Sequence, residues 1–181
     1  AKVHSAYADE IDFLLGLKAR NKFIKNLALS LKGNTFVMFR YVEKHGDILV
    51  KLIKDATDRS VYYVSGKTHA DDREFIRKIL ETEKNAIVVC SVGTFSTGIN
   101  VKNLHNIIFV HPSKGRIKTL QSIGRGLRLH ESKDSMTLYD IADDLSYKSK
   151  ENHTLKHFVE RIKIYVEQKF KYRITKIRLN V

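Results

Sequence analysis

The sequence predicts an open α/β sheet, mainly parallel, with helices on both faces. Five short apolar runs, rich in β-branched and aromatic residues, occur along the chain as TFVMF, VYYVS, AIVVC, NIIFV and SMTLYDI. Nearly continuous apolar runs of this length are typical of parallel strands that are buried on both sides. Segments with helical periodicity separate them, and strand alternating with helix is the pattern of a doubly wound sheet.

Helices are expected between the strands and at both ends of the chain. Apolar residues recur at helical spacing in two internal segments, as Ile48, Leu49, Leu52 and Ile53, and as Phe75, Ile76, Ile79 and Leu80. Thr68, followed by Asp71 and Asp72, indicates the start of the second helix, because carboxylates favour the positive end of the helix dipole. Periodicity predicts a further helix over residues 7–31.

The C-terminal part of the chain is expected to add one helix and one strand. A helix over residues 153–170 would place Leu155, Phe158, Ile162 and Val166 inward and Lys156, Arg161, Lys163 and Lys169 outward. The run YRITKIRLN then predicts a final strand. We therefore expect one domain, with a helical lead-in over 1–32, a motif-bearing core over 33–145 and the C-terminal helix and strand over 146–181.

Composition favours a globular protein with a polyanionic partner. The 181 residues are 43% hydrophobic with one proline, and 33 Lys and Arg against 20 Asp and Glu give a formal charge of +13. Such an excess favours nucleic acid over an anionic membrane surface as the partner. The chain shows neither an apolar run of about 20 residues nor a signal-peptide pattern, so we expect a soluble intracellular protein. The only cysteine, Cys90, lies in an apolar run and is expected to be a buried structural thiol.

Two segments that follow predicted strands are candidates for anion binding. The stretch SVGTFSTGIN, residues 91–100, contains Gly93 and Gly98, where the backbone can turn and offer N–H groups to a phosphate. An ordinary turn would have the same composition. Ligands of open α/β sheets bind beyond the carboxyl ends of the strands, which favours the anion site.

The second segment, QSIGRGLRLH, places two glycines and two arginines in a predicted helix. On a helix Gln121, Arg125 and Arg128 project from one face, and Gly124 leaves a gap beside them. A helical glycine costs about 1 kcal/mol relative to alanine, and two neighbouring guanidiniums repel unless an anion lies between them. A solvated basic face is the alternative.

These segments resemble the motifs of superfamily 2 helicases. QSIGRGLR is similar to motif VI, Q-x-x-G-R-x-x-R, and VVCSVGTFSTGINVKNLHNIIF resembles motif V. NTFVMFRYVEKHGDIL is similar to motif IV, and VYYVSGKTHADDRE resembles the block that follows it. The resemblance covers residues 34–144 and is most specific to the UvsW-type phage DNA helicases. It implies the second RecA-like domain of such an enzyme.

The resemblance also implies roles for individual residues. Arg125 and Arg128 would be catalytic, one of them as an arginine finger, and the ATP-binding residues would be Gly98, Asn100 and Gln121. Motif V implies nucleic-acid contacts by Ser91, Thr94 and Thr97. Asn100 stands where the family commonly has aspartate and Ser91 where it commonly has threonine. Independently of the resemblance, Arg40 and Lys67 end the first two predicted strands and are candidate phosphate ligands, with simple solvation as the alternative.

The function that the resemblance implies is that of the C-terminal motor domain of an ATP-dependent DNA helicase or translocase. Its DNA would be duplex or branched, in recombination, repair or replication restart, within a phage-infected cell. ATP and Mg²⁺ would be bound mainly by an N-terminal RecA-like domain, because this sequence has neither a G-x-x-x-x-G-K-[ST] loop nor the acidic pair that holds Mg²⁺. The chain alone is therefore expected to be inactive. The alternatives are a non-catalytic basic nucleic-acid-binding module and the helicase part of a restriction enzyme.

Other polar clusters are weaker candidates. DIADDL places Asp140, Asp143 and Asp144 after a predicted strand, where a two-metal nuclease site is an alternative. His153 and His157 share a helical face, which favours a solvated pair over a zinc site, and we expect no bound metal. A last group of aromatic residues is expected either to stack on bases or to join the core, and it consists of Tyr165, Phe170 and Tyr172.

Overall fold

The computed structural model describes residues 2–95, 103–112 and 136–181. The helices of these residues are α1 (Lys2–Gly16), α2 (Lys18–Ser30), a π-helix (Val42–Gly46), α3 (Asp47–Lys54), α4 (Ala70–Thr82), α5 (Val92–Phe95) and α6 (His153–Glu167). The strands are β1 (Thr35–Phe39), β2 (Val61–Val64), β3 (Ile87–Ser91), β4 (Asn106–Phe109) and β5 (Thr137–Asp140). Four strands lie within the predicted apolar runs, and β3 extends one residue beyond its run, to Ser91.

The five strands of the described residues form one parallel sheet in the order β2-β3-β1-β4-β5. The register pairs Phe39 of β1 with Ser91 of β3, and Phe109 of β4 with Asp140 of β5. Every strand therefore ends at the same edge of the sheet. The parallel α/β fold predicted from the sequence is confirmed.

Successive residues of each strand pack into two separate cores, one on each face. Phe36 and Met38 of β1 face a cluster that includes Leu80 of α4 and Tyr165 of α6. Val37 and Phe39 face the opposite cluster, which α2 and α3 complete with Ile24, Ala28, Leu49, Val50 and Ile53. Because both faces are covered, the strands need apolar side chains at nearly every position, as the sequence has.

The N-terminal segment forms two helices where the sequence predicted one. The chain bends at Leu17, whose backbone is extended (φ −72°, ψ 109°), before α2 begins. The Asn21 amide donates to the carbonyl of Leu15 across this bend at 2.9 Å. The bend lets α1 reach α6, where the Glu10 carboxylate accepts the backbone N–H groups of His153 and Thr154 at 3.0 and 2.7 Å. These two donors have no partner inside a helix, so Glu10 caps α6.

Two predictions about the element ends are wrong. Thr68 does not cap α4, which begins at Ala70 with His69 as its N-cap. Its hydroxyl instead accepts the N–H of Ser65 at 3.0 Å and closes the turn after β2. Residues 172–180 form no strand, because this segment pairs with no strand of the described sheet.

The burial of the single cysteine agrees with expectation. Cys90 is buried, and its burial raises the pKa of its thiol. None of the described helices combines the length and the apolar character that crossing a lipid bilayer requires.

Candidate functional site

The carboxyl ends of β2, β3 and β1 bring three candidate segments to one edge of the sheet. Ser91 at the end of β3 lies beside Phe39 of β1, and Cys90 lies beside Val64 of β2. Arg40 follows β1 directly and Lys67 lies three residues beyond β2. Neighbouring strands are about 4.8 Å apart, so the three strand ends lie within roughly 10 Å of one another.

Arg40 belongs to a small aromatic and cationic group at this edge. Its guanidinium carbon lies 5.5 Å from the centroid of the Tyr41 ring, and Lys44 Nζ lies 5.9 Å from the same centroid. Tyr41 in turn meets His111, which follows β4, edge to face at 5.4 Å. Tyr41 and Lys44 were missed by the sequence analysis, although an aromatic residue beside a basic residue after a strand was a usable signal.

Lys67 lies in a turn that hydroxyl groups hold in place. Its backbone N–H donates to Ser65 Oγ at 3.2 Å, and the Thr68 N–H donates to the Ser65 carbonyl at 3.0 Å. The Lys67 ammonium is 3.6 Å from a Glu43 carboxylate oxygen, and both side chains are exposed. An exposed pair of this kind is worth little, so Lys67 can exchange its partner for a phosphate.

Ser91 and Thr94 form the first turn after β3. The Thr94 hydroxyl donates to the Ser91 carbonyl at 2.7 Å and lies 3.1 Å from the Ser91 hydroxyl. Both residues are buried. Their hydroxyls therefore hold the start of the segment that the sequence singled out for anion binding.

Two members of the acidic cluster at the end of β5, Asp140 and Asp143, form ion pairs within the fold. The Arg161 guanidinium donates through Nε and Nη2 to the two Asp140 oxygens at 2.7 and 2.9 Å, and the Tyr165 hydroxyl donates to the same carboxylate. Arg161, predicted to lie outside, is fully buried. Among the described residues no group of three potential metal ligands is found. A carboxylate held by a guanidinium is a poor Mg²⁺ ligand, so the nuclease alternative is not supported.

Asp143 makes a second buried ion pair, with Arg20 of α2. Nε of Arg20 donates to Asp143 Oδ1 at 2.8 Å and Nη2 donates to Oδ2 at 3.0 Å. Nη2 also donates to the Val110 carbonyl at 2.7 Å. One guanidinium thus connects α2 with the chain that leaves β4 and the chain that leaves β5. The sequence analysis missed it, since nothing in the pattern pairs residues so far apart.

His45 lies beside this ion pair, inside the π-helix that follows β1. Its Nε2 is 3.1 Å from Asn21 Oδ1, and the ring is fully buried. Burial and the positive charge of Arg20 lower the pKa of His45 to about 3. His45 is therefore neutral at physiological pH.

The remaining predicted site residues lie outside the described residues. They are Gly98, Asn100 and Thr97 after β3, and Gln121, Arg125 and Arg128 between β4 and β5. The predictions for their roles stay predictions. The chain enters the second of these segments at Pro112, just beyond the carboxyl end of β4.

Comparison with known proteins identifies the family. A model of the helicase conserved C-terminal domain matches residues 18–130, which span β1 to β4 and both candidate segments. The chain belongs to this helicase C-terminal domain family. The match includes the motif V and motif VI segments.

A phage helicase is similar over nearly the whole chain. The ATP-dependent DNA helicase uvsW of Enterobacteria phage T4 is 41% identical over 186 residues, which is 96% of this chain and 37% of that protein. The crystal structure of T4 UvsW matches with a TM-score of 0.76 over 91% of this chain and 35% of that one. The chain thus spans little more than a third of the length of this relative.

A more distant structure shares the fold alone. The crystal structure of the C-terminal part of the Fun30 ATPase domain matches with a TM-score of 0.54 at 18% identity, over 85% of this chain and 56% of that one. The match to the T4 UvsW structure and the five-stranded parallel sheet together show the RecA-like fold implied by the sequence motifs.

Proposed function

We propose that this helicase C-terminal domain is the second motor domain of an ATP-dependent DNA helicase or translocase that acts on duplex or branched DNA. Its processes would be recombination, repair or replication restart. The observation that carries the proposal is the 41% identity to T4 UvsW, a protein described as an ATP-dependent DNA helicase. The alternatives of a non-catalytic module or a restriction-enzyme part are not favoured by this similarity.

We assign DNA binding to the carboxyl edge of the sheet. Arg40 and Lys67 are exposed there and would bind backbone phosphates, and Tyr41 with Lys44 extends the same surface. The segment that begins at Ser91 and Thr94, with Thr97, would complete the contact. Phosphate contacts of this type position a nucleic acid without reading its sequence.

The nucleotide would lie between this domain and an N-terminal RecA-like domain. That domain would supply the phosphate loop and the carboxylate that holds Mg²⁺, and this chain would contribute Gly98, Asn100 and Gln121. ATP supplies the phosphoryl group that is transferred to water. Arg125 and Arg128 would stabilise the charge that develops on this group, an effect worth about 10³- to 10⁵-fold in rate.

A two-part ATPase assay tests the proposal. The 181-residue chain should hydrolyse ATP at the background rate, and the chain joined to the N-terminal RecA-like domain should hydrolyse ATP at a rate that DNA increases. Turnover by the chain alone, or no stimulation by DNA in the joined protein, would contradict the assignment.

A further inference from the structure

The segment that follows α6 carries a concentration of positive charge. Its cations are Lys169, Lys171, Arg173, Lys176 and Arg178, and residues 168–181 contain no Asp or Glu. These side chains contribute five of the formal +13 charges of the chain. Runs of one sign repel themselves and are typical of arms that bind a polyanion.

The same segment is exposed along most of its length. Every residue from 171 to 178 is exposed, and the cations alternate with apolar side chains such as Tyr172 (51% exposed) and Ile174 (54%). None of the five cations forms an ion pair within the described parts of the chain. The guanidinium and ammonium groups are therefore available to a partner.

The segment is attached to the domain at its start, and its last residues lie near the beginning of α2. At its start the Phe170 N–H donates to the Tyr165 carbonyl at 2.9 Å, and the Phe170 ring packs against the core. At its end Asn180 and Val181 line a surface cavity of about 420 Å³ together with Leu17. The segment thus leaves the core at Phe170 and ends in the neighbourhood of Leu17.

One cation of the segment, Lys176, acts electrostatically on the chain that leaves β5. Hydrogen bonds from Ser146, and secondarily the charge of Lys176, lower the pKa of Asp144, which follows β5. Leu17, near the end of the segment, precedes α2, whose Arg20 contacts the chain leaving β4. Lys176 therefore lies near the β5 end of the sheet, whereas Lys67 lies at the β2 end.

We propose that residues 169–178 bind the phosphate backbone of DNA as a cationic strip, a second contact beside the one at the ends of β1, β2 and β3. This inference rests on the proposed function, because both surfaces would hold the same DNA. Each phosphate that a cation neutralises releases counterions, so the strip contributes to affinity and to its salt dependence. The apolar side chains could instead face a protein, but unpaired cations at every second or third position favour a polyanion.

The test compares two variants of equal charge. The strip variant changes five cations to Gln, namely Lys169, Lys171, Arg173, Lys176 and Arg178. The control variant changes five other exposed lysines to Gln. These lysines lie on helices or on loops that precede strands, and they are Lys32, Lys51, Lys54, Lys78 and Lys84. Affinity for a fluorescein-labelled DNA duplex is measured by anisotropy at several salt concentrations, and thermal unfolding verifies that both variants fold.

The strip variant should bind at least about tenfold more weakly at moderate salt, and the slope of log affinity against log salt should flatten by about 4. The control should stay within about threefold of the unaltered chain. Equal losses of DNA affinity in the two variants would refute DNA binding by the strip but not the proposed function. Failure of the unaltered chain to bind DNA would refute both. A third variant with Ile174→Ser and Ile177→Ser should bind normally. If it alone loses affinity, the segment acts through its apolar side chains and the proposal is wrong.

Discussion

Arg20 and Asp143 are 123 positions apart in the chain, yet their side chains form two hydrogen bonds of 2.8 and 3.0 Å in the interior of the domain. Only 1% of the Arg20 side chain and 11% of the Asp143 side chain is exposed. The pair fixes α2 against the chain segments that leave β4 and β5. The motif VI segment lies between β4 and β5 in the sequence. Arg20 therefore holds the chain before this segment, at Val110, and after it, at Asp143.

Removing one partner of this pair should strongly destabilise the fold. Asp143→Ala leaves a buried guanidinium without its counter-charge, and the expected loss is about 3–5 kcal/mol in the free energy of unfolding. The double change Arg20→Met with Asp143→Leu should restore much of that loss, because no buried charge remains. Urea unfolding of the single and double variants measures both values. A single variant as stable as the unaltered chain would show that the pair is not important for folding.

His45 makes the stability of the domain sensitive to acid. Its pKa is about 3 in the folded chain, against about 6.5 in the unfolded chain, so between these values the unfolded state binds one more proton. The free energy of unfolding should therefore fall as the pH drops below about 6.5, by about 1.4 kcal/mol per pH unit, until about pH 3. At pH 5 the loss is about 2 kcal/mol.

The control for this prediction is His45→Gln, which keeps a donor toward Asn21 and removes the titrating ring. Urea unfolding at pH 7 and pH 5 should show a smaller decrease for His45→Gln than for the unaltered chain. Equal decreases in the two proteins would mean that another group is responsible.

Gly33 should tolerate no side chain. Its φ is +92°, and a Cβ added there would lie 2.6 Å from Cγ of His105. His105 cannot easily move away, because its Nδ1 accepts the Asn34 N–H at 3.1 Å. Gly33→Ala is expected to cost about 1–3 kcal/mol of stability. Gly16→Ala, where no atom lies within 4 Å, is the matched control and should be neutral or stabilising in thermal unfolding.

The sequence predicted the sheet well because burial on both faces leaves a direct signal. The runs that contain Val37 and Val89 have no polar residue to interrupt them, and both form central strands. Helices were also predicted by apolar spacing, although Ile48 and Leu52 of α3 are exposed and Val50 is buried instead. Periodicity identifies a helix more reliably than it identifies the buried side.

The sequence mispredicted the exposure of a charged residue whose ion-pair partner is distant in the chain. Arg161 was assigned to the surface because arginine is rarely buried without a partner, and its partner Asp140 lies on the neighbouring strand β5. The bend at Leu17 and the failure of residues 172–180 to pair as a strand likewise depend on contacts that no local sequence pattern encodes. The sequence placed Arg40 and Lys67 after the carboxyl ends of two strands, where they lie in the structure, but it did not predict the aromatic group around Tyr41.

The motif VI arginines are proposed to complete an ATP site, and the turnover of an Arg128→Ala variant is the measurement that bears on this claim. In the chain joined to the N-terminal RecA-like domain, Arg128→Ala should lower kcat by about 100-fold or more and leave DNA affinity within a few-fold. Arg128→Lys should recover little, since an ammonium lacks the planar two-point contact of a guanidinium. Arg77→Ala, which removes a half-buried arginine paired with Glu74 on α4, is the control and should leave kcat unchanged. Unimpaired kcat in Arg128→Ala, with a loss of DNA affinity instead, would contradict the claim.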